Sequence, residues 1–542
     1  MKKHNIVKVV LITLLVFLVL SWIFPAAYFS SEYIDQGRVQ MGLSDVFNYF
    51  MTSLSYFGHF ALYLILVGCF YGVLYKIPAY RTFLDKIVAK VNSKVFIVVT
   101  VILLAFGVSF AGLQFGFAIF VPFIVALILL MGYDKIVAAM VVVGSIAAGL
   151  IGNTCAYANN SILVGTLSID KNFQIGVRIV VLIVAIAIVL FNIYMYVKRL
   201  AGPAKKVAKP AKKEEKKKEV VVTTTKTVKV TKTSTSSKAS KSSPKKGRST
   251  KSSKGKGGRK NVNKAALREE DIIVVKEAVV SDSEYDESLV PTRVEVTHKV
   301  WPFMVGFCLL FILLVLAWIT WGDSGFGTSV FDDVTNSVAD FKIFGFPIFQ
   351  KIYGSMNAFG SWTIIDLFFP IILLLTLLVT IYKVKFDDVL DGMLTGAKKA
   401  IVPAFIVLLL YTMLVVVTYH PYQLAIYKFV LGLFKGKGIN IGTTIVTTVL
   451  ASLFNVDPSY AFQALLPYYA SVITNTKDYP LVAVVAQTMY GFTALFAPTS
   501  IALMCSLAYL KVSYKEWLKN AWKILLELFV VLLIIFIILA LV

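Results

Sequence analysis

"LFAPTSIALM", Leu495 to Met504, lies inside a long apolar stretch, and how it is read decides the fold. Pro498 removes an amide donor and clashes with the preceding turn, while Thr499 and Ser500 add two hydroxyls in the middle of a segment that otherwise suits a membrane span. Irregular backbone at membrane depth is tolerated only where it is buried in protein or lines a cavity. There its freed amides and carbonyls can hold ions and polar substrates. The plainer alternative is a proline kink whose hydroxyls bond back to their own helix.

The break has a counterpart. From Pro122 to Thr154 is 32 residues, and from Pro467 to Thr499 is again 32. At that offset "GLQFGF" at 112–117 falls on "DPSYAF" at 457–462, with Phe115 on Tyr460 and Phe117 on Phe462, and Gly152–Thr154 falls on Ala497–Thr499. Each break thus follows a segment whose centre carries small or polar residues: Gly112, Gln114 and Gly116 in the first, Asp457 and Ser459 in the second. The pattern predicts two re-entrant helical hairpins, 95–132 and 440–476, and two broken transmembrane helices, 135–169 and 480–510.

The composition agrees with a membrane body. Of 542 residues 58% are hydrophobic and 15% charged, and the mean hydropathy of +0.78 excludes an ordinary soluble domain. The start, "MKKHNIVKVVLITLLVFLVLSWIFP", has the parts of a secretory signal, but its apolar run is long enough to span a core of ~30 Å and reads as a first helix. Further spans are expected at 54–75, 174–197, 300–321, 362–382, 400–420 and 523–542. Lys2, Lys3, Lys8, Lys198 and Arg199 put the amino end inside a cytoplasmic (inner) membrane of bacterial type, and the carboxyl end comes out on the other side. The two repeats then have opposite orientation, so the predicted architecture is an all-α polytopic membrane protein with an inverted repeat.

The net charge of +24 describes mainly the tract 200–299, a Lys/Ser/Thr-rich stretch too poor in apolar groups to fold alone. It separates a first membrane half, 1–199, from a second, 300–542, and is expected to be a cytoplasmic linker dispensable for transport. Its charge would also attract anionic lipid or nucleic acid. Cys69, Cys155, Cys308 and Cys505 have no paired spacing, and no metal-ligand motif or nucleophile and base arrangement appears, so neither an enzyme nor a structural metal is expected.

The candidate site residues are Gly112, Gln114, Gly116, Gly152, Asn153, Thr154, Asn160, Asp457, Ser459, Ala497, Pro498, Thr499 and Ser500. From Val95 to Tyr133 and from Ala138 to Ile169 there is no Lys, Arg, Asp or Glu, and Asp457 is the one such residue in 439–476. An anionic group would therefore be held by helix amino ends and hydroxyls, without an arginine clamp. Asp457 reads equally as a helix cap before Pro458 and as a ligand for a cation or a substrate amine. His59 and His420 lie at or in apolar segments, with a proton relay as one candidate role.

The motifs "SWIFPAAYF" at 21–29, "MGYDKIV" at 131–137, "GLIGN" at 149–153, "APTSIALM" at 497–504 and "VSYKEW" at 512–517 resemble the four-carbon dicarboxylate anaerobic carrier family. That family, with its branch of basic amino acid antiporters, belongs to the ion transporter superfamily. The resemblance implies an elevator-type transporter whose hairpins and broken helices move against a scaffold that commonly dimerises. It also implies hairpin tips at Gly112–Gly116 and Asp457–Ala461. Where such hairpins carry acidic residues after the first tip, this chain has Ala118 and Ile119, and it lacks an acidic residue near Gly491. The expected function is secondary transport or exchange of amino acids or dicarboxylates, with Na+ or H+ as a possible coupling ion. The alternative is a non-transporting scaffold that anchors the basic tract.

Overall fold

A computed structural model describes residues 5–30, 32–200, 289–292, 299–354, 357–433, 441–473 and 475–541, so most of the tract 200–299, and its expected role as a spacer, lies outside the described residues. The first half runs α1 (Asn5–Ile23), a ribbon of β1 (Ala26–Phe29) and β2 (Tyr33–Gly37), α2 (Leu43–Leu74), α3 (Pro78–Lys90), α4 (Ser93–Ala111), α5 (Val121–Leu130), α6 (Lys135–Ile151), α7 (Tyr157–Leu167) and α8 (Ile175–Leu200). The second runs α9 (Trp301–Trp318), α10 (Val330–Asp340), β3 (Lys342–Ile343) with β4 (Phe346–Pro347), α11 (Ile348–Tyr353), α12 (Phe368–Ile381), α13 (Phe386–Tyr419) and α14 (Gln423–Leu433). It closes with α15 (Ile441–Phe454), α16 (Pro458–Val472), α17 (Tyr479–Thr493), α18 (Ile501–Leu510) and α19 (Tyr514–Leu541). Seven helices among the described residues are long and apolar enough to cross a membrane.

Two helices are longer than hydropathy alone suggested. The span expected from 54 begins at Leu43, because the Asp45 carboxylate accepts the Gly42 amide at 2.7 Å and starts the helix three turns early. The span expected from 400 begins at Phe386, and Lys398 and Lys399 lie inside it rather than at its end. The polar first turns of both helices escape a hydropathy window. The ribbons β1–β2 and β3–β4 are small departures from an all-α chain.

The long helices α2 and α13 pack on one another along their length. At one end the crossing is made by four glycines spaced as two GxxxG pairs, Gly68 with Gly72 and Gly392 with Gly396. A β-carbon on Gly396 would strike the Gly68 carbonyl, and one on Gly72 would strike the Gly392 carbonyl. Lys76 and Asp391 pair just beyond this crossing. Toward the other end aromatic rings fill the interface: Phe57 stacks on Tyr411 with centroids 4.2 Å apart, and Ser53 donates to the Leu408 carbonyl at 2.9 Å. His420 closes that end in one tautomer. Its Nδ1 donates to the Val39 carbonyl at 2.7 Å, so Nε2 accepts from the Tyr49 hydroxyl at 2.8 Å. Both ring nitrogens are engaged in hydrogen bonds.

The order hairpin, broken helix, long helix occurs twice, as α4–α5, α6–α7, α8 and as α15–α16, α17–α18, α19. The hairpins differ in detail, for Pro122 opens α5 after a short 3-10 turn at Gly116–Ile119, whereas Pro467 lies inside α16. Just before the two breaks α6 packs against α17, with Gly491 seated on the backbone of Leu150 and Ile151.

The glycine crossing supports a direct prediction. Gly396→Leu should lower the stability of the purified protein by about 1–3 kcal/mol through overpacking, read as an earlier thermal transition and loss of the monodisperse peak. Gly165→Ala, where a β-carbon meets open space in the last turn of α7, should be neutral or slightly stabilising.

Candidate functional site

Both breaks are held by the same contact to the hairpin before them. In the first, the Ser109 carbonyl of α4 accepts the amides of Thr154, Cys155 and Ala156 at 3.0–3.2 Å and the Thr154 hydroxyl at 3.3 Å. In the second, the Ser452 carbonyl of α15 accepts the Thr499 hydroxyl, also at 3.3 Å. The first joint is stronger, because Ser109 Oγ also donates to the Gly152 carbonyl at 2.6 Å and lies 3.0 Å from Thr154 Oγ1. Thr154 and Thr499 are buried. Their hydroxyls, expected to face a cavity, instead fasten hairpin to break.

The other carbonyls freed by the breaks are met by side chains as well. Gln487 of α17 donates to the Asn153 carbonyl at 2.9 Å, tying the second broken helix to the first break. Asn153 in turn bonds Asn160 at 3.1 Å and accepts the Ala156 amide at 3.3 Å, which starts α7. In the second break Trp517 donates to the Leu495 carbonyl at 2.8 Å, Tyr514 donates to the Phe496 carbonyl, and Ser500 caps α18 by accepting the Leu503 amide at 3.4 Å. Gly152 is needed at its position because a β-carbon there would strike the backbone of Leu182 in α8.

Between the α2–α13 pair and the two hairpin tips lies a cleft of about 470 Å³. Gly112, Gln114, Asp457 and Ser500 of the expected set line it, and Gly116, Gly152, Asn153, Thr154, Asn160, Ser459, Ala497, Pro498 and Thr499 do not. The first tip turns through Gly112, whose φ of +73° favours glycine. Asp457 caps α16, Oδ1 accepting the Ser459 amide at 2.9 Å, and the residue also borders the cleft. Tyr63 and Tyr71 of α2 donate to the Gly116 and Ile119 carbonyls at 2.9 and 2.6 Å, so the wall of the cleft supports the turn after the first tip.

Four lining or supporting groups stand outside the expected set of site residues. Asn159 borders the cleft beside Gly112 and has a buried, unpaired amide nitrogen. Lys399 and His59 border it from α13 and α2 respectively, and the Lys399 ammonium lies 5.0 Å from the centre of the Tyr75 ring. Lys399 had served only as a topology marker. The fourth, Arg178, stands outside the cleft, behind the first break: it is 1% exposed and donates to the Thr154 carbonyl from the first turn of α8. The signal was available, since an ionisable residue inside an apolar helix is a functional candidate by default.

A cleft bordered by a few polar groups thus lies among apolar helices, with broken backbone behind each hairpin tip. The family model "DcuC: C4-dicarboxylate anaerobic carrier" matches residues 276–541, a region that includes the second membrane half, and over that region the chain is similar to this carrier family. No curated protein and no solved structure matches the chain.

The shared contact of the two breaks yields a paired prediction. Thr499→Val removes one hydrogen bond and should cost about 0.5–1.5 kcal/mol, while Thr154→Val disturbs two and should cost more. Thermal melts of the two variants beside Leu533→Val, in the outer part of α19, test the order. Equal melting of all three would refute the fastening role.

Proposed function

We propose that the protein is a secondary carrier of small carboxylate-bearing metabolites, with C4-dicarboxylates favoured over amino acids. The observation that carries this reading is the cleft, where both tips meet one enclosed space bordered by Gln114, Asn159, Asp457, Ser500 and Lys399. Amide and hydroxyl donors with one ammonium suit carboxylate groups, and Asp457 suits a bound cation or a substrate amine. The family match of the second half supports the dicarboxylate choice.

The mechanism that fits is alternating access by an elevator movement. The α2–α13 pair, locked by glycines and rings, acts as the fixed wall. The two hairpins with the broken helices, cross-tied through Ser109, Ser452 and Gln487, move as one body along it. In this reading the two halves form an inverted repeat, the fixed wall is the surface for a second copy, and the coupling ion is Na+ or H+.

Purified protein in liposomes, given labelled succinate, malate, aspartate, lysine and arginine under sodium, proton and exchange conditions, tests the assignment. Uptake of the dicarboxylates, accelerated by internal dicarboxylate, is the expected result; no uptake of any of them would overturn it. Asp457→Asn separates the two roles of that residue, because asparagine caps a helix about as well as aspartate. Its melting should match the parent, while its cation or amine dependence changes. A parent-like transport profile would reduce Asp457 to a cap.

A further inference from the structure

Each broken helix is followed by a long helix whose fourth residue reaches back to the break. In the second half that residue is Trp517, fourth in α19, whose indole nitrogen donates to the Leu495 carbonyl at 2.8 Å. In the first half it is Arg178, fourth in α8, whose Nη2 donates to the Thr154 carbonyl. The correspondence continues one turn further, where Leu182 backs Gly152 in α8 and the buried Ala521 follows Trp517 in α19. Two residues at the same place in their helices therefore each donate to a carbonyl beside a break, one neutral and one charged, although Leu495 lies before its break and Thr154 at the far end of the other.

The charge has no structural need behind it. A neutral donor serves the second break, and burying an ion inside a membrane protein costs several kcal/mol unless it is compensated. Arg178 is 1% exposed, its Nε and Nη1 are buried without partners, and no ion pair of Arg178 with a carboxylate is found among the described residues. What surrounds it is of another kind. The Phe173 ring lies 4.4 Å from the guanidinium carbon, and the carbonyl end of α6 carries the partial negative charge of a helix terminus. In broken-helix carriers generally, the unwound carbonyl end of a half-helix is where a coupling cation is held. At this break the three carbonyls of residues 152, 153 and 154 are met by Ser109, Gln487 and Arg178, and the last of these brings the positive charge.

We propose that the Arg178 guanidinium is a cation built into the first break, standing where a mobile coupling cation would otherwise sit at the carbonyl end of α6. It makes this half of the molecule permanently loaded, so any coupling ion acts through the second half, where Asp457 borders the cleft. The inference rests on the carrier reading above and deepens it. Arg178 touches no part of the cleft and is a positioning residue, acting through the loop 152–154.

The test uses the full chain in lipid nanodiscs and asks whether charge or hydrogen bonding matters at this position. Arg178→Lys keeps the charge, Arg178→Gln keeps a neutral donor, and Arg178→Ala removes both. Melting temperature is read in choline chloride, in sodium chloride, and with low-millimolar guanidinium chloride. The expected result is that Lys melts near the parent, Gln and Ala melt lower, and guanidinium or sodium restores most of the loss in Ala while leaving the parent unmoved. Should a variant fail to purify, guanidinium is supplied throughout purification, and recovery of the Ala variant under that condition supports the proposal whereas no recovery overturns it. A Gln variant that melts like the parent, or cations that move parent and Ala equally, overturns it too. Uptake in liposomes adds an independent arm: Ala should gain a dependence on sodium or guanidinium that the parent lacks. If the parent transports none of the panel, the carrier reading fails while the melting comparison still decides the role of Arg178.

Discussion

A helix that breaks inside a membrane must find new partners for the backbone groups it gives up, because no water is there to take them. The rest of this structure is arranged around that requirement. Ser109 and Ser452 stand at the corresponding places on the first arms of the two hairpins and take the hydroxyls of Thr154 and Thr499 at the same distance of 3.3 Å. Gln487 joins the second broken helix to the first break, and Arg178, Trp517 and Tyr514 close the breaks from behind. The hairpins are thereby fixed to the broken helices, and the second broken helix to the first break.

A body tied together in this way needs a surface to lie against. The α2–α13 pair supplies one whose two ends are built differently. Glycines bring the backbones into direct contact at one end, while Phe57, Tyr411 and their neighbours hold the helices with side-chain volume toward the other. The cleft runs along this pair, from His59 and Trp362 to Tyr75 and Lys399. Tyr71, which borders it, and the buried Tyr63 donate to carbonyls of the first hairpin.

The large features were legible because they depend on local chemistry. Proline, glycine and hydroxyls inside apolar runs marked both breaks and both tips, and Asp457 before Pro458 announced its cap. The direction of side chains was not legible. Thr499 next to Pro498 looked like a ligand, yet the tertiary neighbour Ser452 takes its hydroxyl, and nothing in the local sequence signals a contact across 47 residues. The starts of α2 and α13 were missed for another reason: their first turns are polar and exposed, so hydropathy is silent where capping decides. The GxxxG pairs and Arg178 did carry signals. They went unread because each becomes informative only beside a partner helix that lies hundreds of residues away or across a break.

The two halves share an architecture and differ in charge, and the difference has a definite sense. The first half places Gly112 and Gln114, both neutral, at its tip and a guanidinium behind its break. The second places a carboxylate at its tip and an indole behind its break. A repeat whose halves were interchangeable in chemistry would put the same ion requirement on both sides of the substrate. Here one half holds a positive charge behind its break and the other places a carboxylate at the cleft. The asymmetry resides in single residues, Arg178 against Trp517 and Gln114 against Asp457, while the hydrogen bonds that hold the breaks in shape are retained in both. The hydrogen-bonded joints are thus common to both halves, while the charged groups beside them are not.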